Sequence, residues 1–162
     1  MDGPTTFSRL IRPGSMADYE ARFEADRQAR AAGHPAATLP VAVANPHIEE
    51  AALSTPDCFP FFDGLESKTA WKNEVTLRSM EVMRAYAPHQ MVEYISPTPL
   101  LMVIADRDVL TAADLSFKAY AKALEPKELL CISGGHFKAY EPENAEIILK
   151  RQAEFLGKHL CT

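Results

Sequence analysis

Two stretches near the C-terminus break an otherwise mixed pattern of polar and apolar positions. Residues 99–105, Pro-Leu-Leu-Met-Val-Ile-Ala, and 128–133, Glu-Leu-Leu-Cys-Ile-Ser, are largely apolar runs of strand length without polar alternation. Such runs predict strands covered on both faces, as in a parallel sheet. Each ends abruptly in a polar turn, Asp106-Arg107-Asp108 after the first and Gly134-Gly135-His136 after the second. Between them Thr111 stands where an N-cap is needed, and Leu115, Ala119 and Ala123 recur at helical spacing over 112–124 before Pro126. Residues 143–160 predict a closing helix with Ile147, Ile148, Phe155, Leu156 and Leu160 on its apolar face and Lys150 and Arg151 toward solvent.

The first 97 residues follow another grammar. They hold 9 of the 12 prolines, so long regular elements are confined to two places. Ser15 is positioned to cap a helix from Met16 to about Ala32 that buries Met16, Tyr19 and Phe23. A second helix is predicted over 68–85, with Trp71, Val75, Leu77, Met80 and Met83 at helical intervals. Thr38 to Ala44 is the best further strand candidate, and its prolines make it an edge or a loop. The resulting expectation is an α/β protein with a mostly helical, lid-like region over 1–97 and a strand–helix–strand–helix core over 98–162. Two parallel strands, each apolar on both faces, are marginal by themselves. An exposed sheet edge and a homodimer formed through it are therefore expected.

Composition narrows the function classes. The 162 residues are 47% apolar and 24% charged, in the range of globular proteins. A net charge of −5 with scattered basic residues gives no footprint for nucleic acid or an acidic membrane surface. The longest apolar run falls far short of the ~20 residues that span a bilayer. The opening Met1-Asp2-Gly3-Pro4 lacks a basic region followed by an apolar stretch. Cys58, Cys131 and Cys161 are widely spaced and form no CxxC, so a reduced, cytoplasmic protein without structural zinc or other cofactor is expected.

If the two strands are parallel neighbours, Asp108 and His136 emerge at the same sheet edge, where an acid and the histidine it orients belong in acyl-transfer chemistry. Blander accounts are an Asx-type turn at Asp108 and a turn histidine that caps the next helix. Asp106 and Asp108 could share a cation, and His47-Ile48-Glu49-Glu50 is a weaker metal pattern. Ser15, Ser96 and Ser133 are the hydroxyl candidates for a nucleophile. Cys131 is expected to point into the core, and Cys58 falls in the irregular segment. Phe59, Phe61, Phe62 and Trp71 either line a pocket for an apolar chain or fill the lid interior.

Residues 95–160, from Ile95-Ser96-Pro97-Thr98-Pro99 through the Gly-Gly-His turn, resemble the C-terminal end of α/β-hydrolases. The similarity is to the dienelactone-hydrolase-like or prolyl-peptidase-like branch, and within it to fungal polyketide transferases and thiohydrolases. The stretches TTFSRLIRP and WKNEVTLRSMEVMRAYAP resemble that branch's cap. The resemblance implies that Asp108, or alternatively Asp106, is the triad acid and His136 the triad histidine. It also implies acyl transfer or (thio)ester hydrolysis on a small-molecule or carrier-bound acyl substrate, for which Phe59, Phe62 and Trp71 are the candidate binding residues on their aromatic character. The family's Gly-x-Ser-x-Gly nucleophile elbow has no counterpart among the 162 residues, whose glycines stand at 3, 14, 33, 64, 134, 135 and 157. A truncated member opening just past the nucleophile is the corresponding expectation. A non-catalytic binding or dimerising module, or a His–Asp dyad that transfers protons in an isomerisation or dehydration, remain as alternatives.

Overall fold

The structure is a computed structural model that describes residues 3–11 and 16–160. Ser15 and Cys161 lie outside the described residues. The chain divides into two compact units, one of Gly3–Tyr86 and one that runs from Ala87.

The first unit comprises α1 (Gly3–Leu10), α2 (Met16–Ala31), β1 (Thr38–Leu39), α3 (Cys58–Phe62), β2 (Val75–Thr76) and α4 (Leu77–Ala85). Its core gathers Phe7, Tyr19, Phe23, Leu39, Ala52, Leu77 and Met80. Tyr19 and Phe23 lie one turn apart on α2 and face Phe7, whose ring meets Tyr19 edge-on at 5.3 Å and Phe23 at 6.1 Å. Met16, expected on that face, is exposed. At Gly3 the chain tolerates no side chain: an added Cβ would sit 2.2 Å from the carbonyl oxygen of Met83 and 2.3 Å from that of Tyr86. The close approach lets the Gly3 N–H donate to Tyr86 O at 2.9 Å and seats α1 against α4.

The helix predicted over 68–85 is shorter. Thr76 is extended, and its Oγ1 accepts from Ser79 N at 3.2 Å, so this threonine caps a helix that begins at Leu77. Val75 and Thr76 instead pair antiparallel with Leu39 and Thr38. The strand expected over Thr38 to Ala44 stops after Leu39, where Pro40 has no N–H to offer a ladder.

The second unit contains a 3₁₀ segment (Pro88–Ile95), β3 (Leu100–Ala105), α5 (Ala113–Lys122), β4 (Lys127–Ile132), a 3₁₀ turn (His136–Tyr140) and α6 (Pro142–Leu160). β3 and β4 pair in parallel, from Leu100 opposite Lys127 to Ala105 opposite Ile132, and no other strand joins them among the described residues. Successive residues of β4 point to opposite faces. Lys127 donates to the carbonyls of Tyr120 (2.8 Å) and Ala123 (2.6 Å) at the end of α5. Glu128 takes Lys158 of α6 at 2.8 Å and also pairs with Arg151. The two helices therefore cover opposite faces of the sheet, as an α/β arrangement requires.

The cover is thin. Only Ile104 and Ile132 of the strands are fully buried. α6 buries no residue outright, and Ile147, Leu156 and Leu160, placed on its apolar face by sequence, are more than half exposed. Arg151, expected in solvent, is held by Glu128. Cys131, expected in the core, is exposed on its strand, whereas Cys58 is buried, with Sγ 3.0 Å from Thr55 Oγ1.

Candidate active site

The two polar turns meet beyond the carboxyl ends of β3 and β4. Asp106 N donates to Ile132 O (2.9 Å), Arg107 N to Gly134 O (2.9 Å) and Gly134 N to Asp106 Oδ1 (2.8 Å), which extends the ladder past its last strand residues. The Gly134 N–H holds the Asp106 carboxyl below the usual carboxylate range. Gly134 has φ +135°, a region that favours glycine, and a Cβ there would fall 2.4 Å from Lys138 Cγ. Arg107 closes the outer side, donating to Ser133 Oγ at 3.0 Å.

This clamp delivers His136 to Asp108. Nδ1 of His136 lies 2.8 Å from Asp108 Oδ2. Thr111 Oγ1 donates to the same carboxylate oxygen at 2.7 Å and stands 3.3 Å from the ring nitrogen. Asp108 Oδ1 accepts from the N–H groups of Leu110 and Thr111, both at 2.9 Å. The Asp108 side chain is 9% exposed and that of His136 26%. Burial pushes the Asp108 carboxyl up, but the hydrogen bonds from His136 and Thr111 outweigh it and hold the group below the ordinary carboxylate range. An anion held this way takes the Nδ1–H tautomer of a neutral imidazole, leaving Nε2 as the basic nitrogen at the far end of the ring.

Among the predicted site residues, Asp108 and His136 are brought together, while Asp106 serves the Gly134 amide. Thr111, placed by sequence as the cap of the following helix, has another role. Ala112 occupies the cap position without a side-chain bond, and the Thr111 hydroxyl turns to Asp108. Its place three residues after an aspartate at a strand end was the available signal. Of the hydroxyl candidates, Ser133 accepts from Arg107 and Ser96 donates to Glu125 O at 2.7 Å. No group of three His, Cys, Asp or Glu side chains arranged for a metal ion occurs among the described residues.

The aromatic candidates lie together in the other unit. Phe62 and Trp71 stack at 5.2 Å with planes 10° apart, and with Phe59 they line a cavity of about 300 Å³. Phe61 packs edge-on against Phe62 at 5.1 Å. No helix of the described residues is long and apolar enough to cross a membrane.

No family model matches the sequence. The chain is similar to a polyketide transferase of Gibberella fujikuroi, 30% identical over 135 residues that cover 83% of this chain and 42% of the relative. It is also similar to a thiohydrolase of Eupenicillium brefeldianum, 26% identical over 149 residues, 89% of this chain and 48% of that one. Among solved structures it matches an α/β-hydrolase, GrgF, of Penicillium sp. sh18 with a TM-score of 0.72 and 25% identity, over 94% of this chain and 54% of that one. A complex of DcsB with its substrate analogue shares the fold at a TM-score of 0.76 and 17% identity, over 93% of this chain and 53% of DcsB. The chain spans about half the length of the curated relatives it matches. With parallel strands, flanking helices and a mostly helical preceding segment, it has an α/β-hydrolase-type fold and resembles the fungal polyketide transferase and thiohydrolase branch of that superfamily.

Proposed function

We propose that the chain works in acyl transfer or (thio)ester hydrolysis on a polyketide-type acyl group, supplying the acid–base half of the reaction. The observation that carries this reading is the 2.8 Å bond between His136 Nδ1 and an Asp108 carboxylate already filled by three other donors. In the proposed reaction His136 Nε2 takes the proton of an attacking hydroxyl and returns it to the leaving group. Asp108 fixes the tautomer and offsets the charge of the imidazolium. The 162 residues hold no Gly-x-Ser-x-Gly, so the serine of a full triad comes from outside them. Phe59, Phe62 and Trp71 form the wall for the acyl group. The setting is a reduced cytoplasm, the substrate a small or carrier-bound acyl group, and neither nucleic acid nor a membrane takes part.

Turnover of a p-nitrophenyl ester or a short acyl thioester by the chain together with the polypeptide that supplies the serine tests this. Activity lost in a folded His136→Ala variant supports the reading, and activity unchanged in that variant overturns it. Absence of turnover with the serine supplied would favour a second reading, a binding module that dimerises through the β3–β4 sheet. That reading draws on half-exposed strands and on Ile147, Leu149, Leu156 and Leu160 of α6, all more than half exposed. Sedimentation that returns a monomer at high protein concentration would remove it.

A further inference from the structure

The cavity beside Trp71 has an uneven chemistry. Its apolar side is formed by Phe62 and Trp71, whose rings stack on each other, with Phe59 and the small Ala42. Its remaining rim carries the carboxylates of Asp63 and Glu66, and no lysine, arginine or histidine lines it among the described residues. The rim is tied down. Asn73 and Ala42 exchange two hydrogen bonds, Nδ2 to the carbonyl at 2.8 Å and the amide N–H to Oδ1 at 3.0 Å. Asn73 N donates to Glu66 Oε1 at 2.7 Å, and Ser67 Oγ donates to Gly64 O at 2.8 Å across the turn between the carboxylates. A wall held this way keeps its shape before a ligand arrives, which lowers the ordering cost of binding.

From this lining we infer that the cavity selects a planar, hydroxyl-bearing acyl group in its uncharged ester or thioester form and disfavours the free carboxylate. The inference rests on the reading of this cavity as the acyl site. Flat aromatic walls favour a planar, unsaturated ligand over a saturated chain. Acceptors on the rim suit ligand O–H donors, which would otherwise lose their bonds to water. A carboxylate released by hydrolysis would face two like charges with no cation in the lining itself. The same wall that holds the substrate therefore drives out the acid product. Both rim carboxylates are at the surface, so their repulsion is modest and sensitive to salt.

Trp71 is the only tryptophan, so its indole N–H gives a single, assignable cross-peak in a ¹H–¹⁵N spectrum of the whole chain. The probes are methyl 3,5-dihydroxybenzoate and 3,5-dihydroxybenzoate, titrated at low ionic strength and again in about 0.5 M salt. The methyl ester is expected to move the peak with an apparent affinity about five-fold higher than that of the acid, a margin that narrows in high salt. Asp63→Asn with Glu66→Gln should bring the two affinities close together by improving the acid, and circular dichroism confirms that the variant is folded. Equal affinities in the wild type would overturn the charge selection and leave the acyl site standing. A preference unchanged in the double variant would also overturn it. If neither probe moves the peak, the reading of the cavity as an acyl site fails.

Discussion

The two units of this chain are held together by different means. In the unit of Gly3–Tyr86, Phe7 and Phe23 are wholly buried and Tyr19, Leu39, Leu77 and Met80 nearly so, which makes a compact aromatic and aliphatic centre. In the unit that carries Asp108 and His136, the strands are mostly half-buried and the longest helix buries nothing outright. Order at the Asp108–His136 pair comes instead from a lattice of hydrogen bonds at the strand ends. Precise placement of two side chains does not require a large core around them. It requires that the donors and acceptors of the turns be committed, because a buried polar group left unpaired costs more than a paired one gains.

The contrast can be broken most forcefully through the aromatic centre. Phe23→Ala should destabilise the Gly3–Tyr86 unit by about 4 kcal/mol in denaturant unfolding followed by Trp71 fluorescence, whereas Leu156→Ala on exposed α6 should change stability by less than about 0.5 kcal/mol. Comparable losses for both would mean that α6 has a partner in solution.

One group in each unit gives a pH dependence of opposite sign. Burial and the Glu50 hydrogen bond push the Tyr19 phenol up to about 12 from its ordinary 10.0. Its stabilisation is complete below pH 10.0 and is lost as the pH rises through about 12, on the order of 2 kcal/mol by linkage, visible as alkaline loss of structure that Tyr19→Phe suppresses. Asp108 behaves in the reverse sense, because its carboxyl is held low. Its contribution is complete above the ordinary carboxylate value and lost as the pH falls through the depressed one. Acid unfolding of Asp108→Asn should accordingly lose the steep segment below about pH 4 that the wild type shows.

Smaller effects sharpen the picture at the turns. Gly134→Ala forces a side chain into φ +135° and onto Lys138, and should cost about 1–2 kcal/mol. At Gly135, with φ −82°, alanine meets no such backbone cost. Finally, Thr111→Val removes a donor from Asp108 and should cost about 1 kcal/mol while lowering the fraction of the Nδ1–H tautomer at His136, read from its ¹⁵N shifts. Thr111→Ser should restore both values, which a purely steric role for the threonine would not predict.

How much of this was legible beforehand depended on how local the cause was. The β3 and β4 runs stood out because several consecutive apolar positions fit a strand covered on both faces and fit no amphipathic element of that length. Their turns carry Asp108 and His136 to one edge, as expected. The choice of Asp108 over Asp106 as the partner of the imidazole required the backbone path of Gly134, whose N–H claims Asp106. The role of Thr111 was hidden because its place also satisfies an N-cap, and only the start of α5 at Ala113 decides between the two uses. Val75 was misplaced for a tertiary reason: helical spacing over 71–83 was real, but pairing with Leu39 and the Thr76 cap began the helix later. The stacking of Trp71 on Phe62 joins residues across an irregular loop, for which no periodicity exists to be read.

The hydrogen bonds that continue the β3–β4 ladder into the Asp106 and Gly134 turns have a mechanical consequence. A pull on either strand is shared through the Arg107 and Gly134 amides before it reaches His136, so the two turns shift as one latch. The Arg107 and Gly134 amide protons should exchange with solvent more slowly than those at the amino ends of the same strands, giving the sheet its firmest grip at the end where it has run out of strand.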